Sequence, residues 1–195
     1  MKYVLGLTGP TGAGKSTAGK VAEELGWYVI NCDLVVRSAY EREKVLEAVR
    51  RAFGDEVFDE NGSLNRKKLG AKAFASPENT EKLNKTILPF IIDMINRDID
   101  ECGKEKILLD APTLYESGAD KICNAVCVIL SDEQNRFVRI TARDGIDEAA
   151  ARLRMSAGKT DEYYKARAGH IIYNDAGEEA LKEEFARLLK ELGGN

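Results

Sequence analysis

Gly9-Pro10-Thr11-Gly12-Ala13-Gly14-Lys15-Ser16-Thr17 decides how the rest of the chain is read. The stretch fits G-x4-G-K-S/T. Tyr3-Val4-Leu5-Gly6-Leu7 before it predicts a short buried strand, and Ser16 to Leu25 predicts a helix. Strand, glycine turn and helix in that order build a phosphate cradle, so a nucleoside triphosphate is expected here. Gly12 and Gly14 permit backbone conformations and a close approach that a β-carbon would obstruct, letting successive N–H groups point at phosphate oxygens. The helix N-terminus adds its positive dipole end. Lys15 is expected to reach the β- and γ-phosphates, and the Ser16 hydroxyl to ligate magnesium. A glycine-rich turn without a ligand is the bland alternative, and Lys-Ser straight after the last glycine argues against it.

The 195 residues suffice for one sizeable core, and a hydrophobic content of 44% is ordinary for a folded soluble protein. A formal charge of −4 argues against general nucleic-acid affinity. Between Arg136 and Arg167, however, eight Lys/Arg stand against five Asp/Glu, so that segment is basic, unlike the whole. No apolar run approaches the roughly 20 residues needed to cross a bilayer, and Met1-Lys2-Tyr3 leads into the first strand without a signal-peptide pattern. A cytoplasmic monomer with no membrane partner is expected. Cys32, Cys102, Cys123 and Cys127 lack C-x2-C spacing and read as reduced thiols rather than a metal site.

Further strands are expected at Trp27 to Asn31, Ile107 to Asp110, Ala125 to Leu130 and Ile171 to Asn174. Leu34 to Cys102 is mainly helical in pattern, with breaks at Asp59 to Ser63, at Ser76-Pro77 and at Leu88-Pro89. Glu133 to Arg143, Asp147 to Ser156, Asp161 to Ala168 and Glu178 to Leu192 read as later helices. Continuously apolar strands separated by helices favour a parallel sheet covered on both faces, an α/β architecture of the P-loop kind. The expected organisation is one domain: a core of 1–34, 106–130 and 170–195, a helical insertion at 35–105, and a lid region at 131–169.

Asp33 follows the second strand, at the edge where open α/β sheets bind ligands. A carboxylate there either orients an attacking hydroxyl and takes its proton, or caps the next helix. Asp110 ends an Ile-Leu-Leu run, the setting of a magnesium-associated carboxylate, or again of a turn residue; Pro112 then leads the chain out of the sheet. Glu116 contacts the acceptor or solvates a loop. Arg139 and Arg143 share one helix face four residues apart and read either as a clamp on transferring phosphate oxygens or as a charged exposed face. Arg136, Arg154 and Lys159 read as exposed.

Taken together these residues resemble the dephospho-coenzyme A kinases. Gly6-Leu7-Thr8-Gly9 through Gly14-Lys15-Ser16-Thr17 looks like that family's first motif, and Asn31-Cys32-Asp33 is similar to its Asp-Ala-Asp. Phe53-Gly54 and Asn61-Gly62-Ser63-Leu64-Asn65-Arg66 through Leu69 resemble its Phe-Gly and Asp-Gly-x-Leu-Asp-Arg segments. Asp110-Ala111-Pro112-Thr113-Leu114-Tyr115-Glu116 looks like its Asp-x-Pro-Leu-Leu-Phe-Glu. Arg139, Arg143-Asp144-Gly145 and Ala151-Arg152-Leu153 are similar to its lid, and Ile172-Tyr173-Asn174 to its closing Ile-x-Asn. Pro10, Asn31, Leu88, Ser156 and Gly169 depart from the family's usual residues.

The resemblance implies transfer of the ATP γ-phosphoryl group to the ribose 3′-hydroxyl of dephospho-coenzyme A, with Mg2+ accompanying ATP. It implies nucleotide contacts from Gly12, Ala13, Gly14, Lys15, Ser16, Thr17 and Asn174, and acceptor contacts from Asp33, Pro112, Leu114 and Glu116. Ser16 and Asp110 would hold the metal; Lys15, Asp33, Arg139 and Arg143 would be catalytic. A kinase for another small hydroxyl acceptor (nucleoside, nucleotide or sugar) is the rival reading within the class. A nucleotide-binding regulatory protein with reduced catalysis is the rival outside it.

Overall fold

The computed structural model describes residues 2–193. Five strands, β1 (Tyr3–Thr8), β2 (Tyr28–Asn31), β3 (Lys106–Asp110), β4 (Ala125–Leu130) and β5 (His170–Tyr173), form one sheet in the order β2-β3-β1-β4-β5. All four pairings are parallel. The chain leaves β1 toward one side of the sheet and later crosses to the other, so the C-terminal end of β1 is the switch point where such sheets bind ligands.

β1, β3 and β4 are apolar almost throughout because both of their faces are covered. On one face α1 (Lys15–Glu24) and α10 (Glu178–Gly193) bring Val21, Leu181 and Phe185 against Leu5, Leu7, Leu108 and Ile129. On the other face, a β-carbon at Gly6 would lie 2.8 Å from Leu114 Cδ2 and 2.9 Å from Cys123 Sγ. The close approach of α6 (Leu114–Ser117) therefore depends on that glycine. Phe185 has 0% exposure in the first of these layers. Phe185→Ala should lower unfolding free energy by about 3–5 kcal/mol, as loss of a buried aromatic with partial collapse does. A denaturant midpoint equal to that of the parent would contradict this packing.

By compactness the chain divides into two units, Met1–Asn31 with Cys102–Asn195, and Cys32–Glu101. The second contains α2 (Cys32–Ala39), α3 (Glu43–Phe53), α4 (Arg66–Ala73) and α5 (Pro77–Glu101). The break expected at Leu88-Pro89 does not occur: α5 runs through Pro89. Leu83, Ile87, Ile91, Ile95 and Ile99 form one buried stripe at four-residue spacing on both sides of the proline. The packing of that stripe outweighs the one backbone hydrogen bond that a proline removes.

The turn between Phe58 and Leu64 shows why Asn61-Gly62 stands where it does. Phe58 and Leu64 form an antiparallel bridge, and Asp59 N–H donates to Ser63 O at 2.9 Å. Asn65 then caps α4, its side chain accepting from Lys68 N–H at 2.9 Å. Asp59 accepts from Asn65 Nδ2 at 2.9 Å and faces Lys68, and these donors, Asn65 first, hold its carboxyl below the usual carboxylate range.

The first unit is completed by α7 (Glu133–Asp144), α8 (Glu148–Ser156) and α9 (Asp161–Lys165). The side chains of Asp132, Asp147 and Thr160 cap them in turn. The last strand begins one residue earlier than expected, at His170, and α9 ends three residues earlier, at Lys165. Cys32 and Cys127 are buried free thiols, and Cys102 and Cys123 are partly exposed ones.

Candidate active site

At the switch point the chain turns from β1 into α1, and this helix starts differently from those that a side chain caps. Its N-cap is Gly14, at φ 114°, with no side-chain cap and no acidic residue in the first turn. The first N–H groups of a helix have no intrahelical acceptor. Where α4, α7, α8 and α9 satisfy one such group with an Asn, Asp or Thr side chain, α1 presents its N–H groups and its positive dipole end uncapped. Gly12 also lies at positive φ, 79°, and a β-carbon there would fall 2.9 Å from the Arg136 carbonyl oxygen. The loop can lie against α7 only because residue 12 has no side chain.

Lys15 Nζ donates to Gly9 O at 2.7 Å and Pro10 O at 3.0 Å, which stations the ammonium group across the loop. Ser16 and Thr17 follow in the first turn of α1, while Ala13 is fully buried beneath the loop. The opposite side of the loop is held by polar side chains. Arg139, from α7, donates to Gly12 O at 3.3 Å, to Ser131 Oγ at 3.1 Å and to Asn174 O at 2.9 Å. Asn174, just past β5 and 4% exposed, donates from Nδ2 to Ala13 O at 2.8 Å. Asp175 accepts from Ser131 Oγ at 3.0 Å and from the Asp132 N–H at 2.8 Å. Its carboxyl is held below the ordinary range, first by that backbone N–H and then by Ser131, Asn135 and the charge of Arg139.

Asp110 ends β3 in register with Leu7 of β1 and with Asn31 of β2, at the same edge of the sheet. Pro112 accepts from Thr8 Oγ1 at 3.3 Å, which ties the exit of β3 to the end of β1. Leu114 is fully buried under the sheet, so its contribution is packing, whereas Glu116, two residues on in the same turn, is exposed. Asp33 belongs to the second unit: it is exposed in the first turn of α2, two residues beyond the end of β2 in the chain. The far end of that helix is pinned by Arg66, which donates to Arg37 O at 3.1 Å while its guanidinium lies 5.6 Å from the Tyr40 ring.

Of the paired arginines, Arg139 is brought to the loop and Arg143 is turned elsewhere. Arg143 binds Asp144 with two hydrogen bonds, at 2.8 and 3.0 Å. Arg154 joins the same carboxylate from α8, so Asp144 clasps α7 to α8. Lys159 is exposed as expected, and Arg154 is half-exposed in its pair. Arg136 corrects the sequence reading: its side chain is only 14% exposed and faces Asp161 of α9 at 3.8 Å. Beside that pair the Tyr163 ring meets Tyr115 of α6 and Tyr164 edge-on, with centroids 6.1 and 5.5 Å apart. Burial pushes the Tyr115 and Tyr164 hydroxyls up to about 12, with Asp120 and Glu116 respectively adding to it. Both phenols stay protonated, so this cluster docks α9 onto α6 and offers no base.

Ser131 and Asp175 were not singled out in the sequence. Ser131-Asp132 and Asn174-Asp175 are polar pairs that directly follow the apolar runs of two strands, and β4 and β5 are neighbours in the sheet. That pattern, together with the pairing, is the signal that finds them.

Comparison with known proteins agrees with this arrangement. The sequence model of the family described as dephospho-CoA kinase matches residues 3–180. A dephospho-CoA kinase of Fusobacterium nucleatum is 32% identical over 187 residues, covering 96% of this chain and 97% of that protein. A solved structure from Thermus thermophilus superposes with a TM-score of 0.84 at 25% identity, covering 99% of each chain. A dephospho-CoA kinase structure from Campylobacter jejuni gives 0.63 at 22% identity, over 98% of this chain and 97% of that one, and so speaks for the fold. A parallel sheet with an uncapped glycine loop at its switch point, matched in sequence over nearly its whole length, places this chain in the dephospho-CoA kinase family.

Proposed function

We propose that the chain transfers the γ-phosphoryl group of ATP to the ribose 3′-hydroxyl of dephospho-coenzyme A, giving coenzyme A and ADP. Besides family membership, the observation that carries this reading is the N-terminus of α1, uncapped by any side chain and spanned by Lys15. Phosphoryl transfer leaves the protein little covalent work, so catalysis consists of positioning and of stabilising charge on the transferring group.

The loop N–H groups and the Lys15 ammonium hold the triphosphate, flanked by Gly12, Ala13, Gly14, Ser16 and Thr17. Arg139 engages three of its five N–H donors with the protein, leaving two for a ligand. Asp33 orients the acceptor hydroxyl and receives its proton. Pro112 and Glu116 border the acceptor, and α8 and α9 serve as the lid.

The residues also fit magnesium. Ser16 supplies a hydroxyl in the first turn of α1 and Asp110 a carboxylate at the neighbouring strand end, both hard oxygen donors. No group of three His, Cys, Asp or Glu able to hold a metal exists among the described residues. Magnesium is commonly held through one or two protein oxygens, water and substrate phosphates rather than in a protein cage. When bound, it neutralises charge on the β- and γ-phosphate oxygens. No helix among the described residues is long and apolar enough to cross a membrane. A kinase acting on two water-soluble metabolites is assigned to the cytoplasm, with a monomer as the working unit and oligomers left open.

A coupled ADP-release assay with Mg·ATP tests the reading, offering dephospho-coenzyme A beside nucleosides, nucleotides and shikimate. Selective turnover of dephospho-coenzyme A is expected. Faster turnover of another acceptor would move the protein to a different small-molecule kinase, and ATP binding without transfer to any acceptor would make it a regulatory binder.

A further inference from the structure

The ends of β4 and β5 do more than close the sheet. Their polar residues act on the phosphate loop from behind at two consecutive carbonyl groups, Asn174 directly at Ala13 O and Ser131 through Arg139 of α7 at Gly12 O. In a trans peptide the C=O and the following N–H point in opposite directions. Anchoring the Ala13 carbonyl on the Asn174 amide therefore turns the Gly14 N–H the other way, toward the mouth of the loop. Anchoring the Gly12 carbonyl fixes the next peptide in the same way, with the Ala13 N–H turned to Pro10 O at 3.3 Å inside the loop.

We propose that Asn174 and Asp175 are positioning residues that aim the loop N–H groups at the triphosphate, Asn174 directly and Asp175 through Ser131 and Arg139. This rests on the reading of the loop as the ATP site. Asn174 is too buried, at 4% exposure, to serve chiefly as a nucleotide contact, and its amide NH2 donates to the loop. Asp175 cannot reach the loop by itself. Together with Asn174 O at 2.8 Å it receives the single Ser131 hydroxyl proton, at 3.0 Å, and Ser131 in turn accepts from the guanidinium that holds Gly12. Its negative charge is kept by the Asp132 N–H and offsets the positive charge of Arg139, so the guanidinium is set in place before nucleotide arrives. Gly14 completes the device, because a β-carbon there would lie 2.8 Å from Leu181 Cδ2 and overlap the Asn174 amide.

The test is a comparison of Asn174→Ala, Asp175→Asn, Ser131→Ala and the Ser131→Ala/Asp175→Asn double variant. Titration calorimetry with a non-hydrolysable Mg·ATP analogue is run beside steady-state kinetics in both substrates and thermal melts. A lost charge-assisted anchor should weaken analogue binding and raise KM for ATP by about tenfold, leaving KM for dephospho-coenzyme A unchanged. Because Ser131 and Asp175 act in series, the double variant should lose no more than the worse single one. Asp175→Asn keeps size and shape, so it retains the test if Asn174→Ala does not fold. A role confined to stability would lower the melting temperature and the active fraction while leaving both KM values in place, and that result would overturn the proposal. Unchanged analogue affinity in folded Asp175→Asn and Asn174→Ala would do the same. If the parent protein itself does not bind the analogue, the failure belongs to the ATP-site reading instead.

Discussion

Lys15→Met should cut kcat/KM for ATP by about 10²–10³-fold, the loss typical of removing one preorganised donor from a site of developing charge. Methionine keeps the unbranched stem and removes only the ammonium, so the loop keeps its packing and the change reports on charge. That ammonium now bridges the Gly9 and Pro10 carbonyls, at 2.7 and 3.0 Å. Binding of triphosphate exchanges those neutral acceptors for anionic oxygens, which form stronger hydrogen bonds. The loss should appear in both KM and kcat, since the β- and γ-oxygens carry charge in the ground state and more on the bridging side as transfer proceeds. Arginine should not restore activity, because its wide planar head lacks the compact point charge that fits between two loop carbonyls. Steady-state kinetics with a melt to confirm folding decides the matter. A kcat/KM for ATP equal to that of the parent would show that triphosphate is not held at this loop.

The parts of the fold that could be read from the chain are those in which backbone requirements are written into residue type. Gly12 and Gly14 occupy positive φ, and the run from Gly9 to Ser16 therefore specifies a loop conformation almost independently of its surroundings. Continuous apolar runs at Ile107 to Leu109 and Val126 to Leu130 mark strands covered on both faces. What was not legible depends on partners distant in the chain. Pro89 reads as a breaker until Ile87 and Ile91 are seen to be buried on either side of it. The 14% exposure of Arg136 is set by Asp161, twenty-five positions on, and no local pattern announces it. Asn174 and Asp175 acquire their meaning from Ala13 and Ser131, contacts that exist only once β5 is laid beside β4.

Asp33→Asn should leave Mg·ATP binding intact and lower kcat by about 10²–10⁴-fold, the range associated with general-base catalysis. Asparagine preserves the size of the side chain and one acceptor oxygen, so it can still receive a hydrogen bond from the acceptor hydroxyl; it cannot take the proton. Asp33 stands in the first turn of α2, and its exposure means that the substitution buries no unpaired group. The fold should therefore tolerate the change, and α2 keeps the anchor of its other end, Arg66 on Arg37 O. The split between binding and turnover separates the two roles weighed for this residue. A residue that only organised α2 would, when neutralised, shift stability and the KM for dephospho-coenzyme A with little effect on kcat. One that receives the proton should lose kcat at saturating concentrations of both substrates. Parental kcat in a folded Asp33→Asn protein would move the proton elsewhere, with Asp110 and Glu116 the remaining carboxylates of the candidate site to be neutralised in turn.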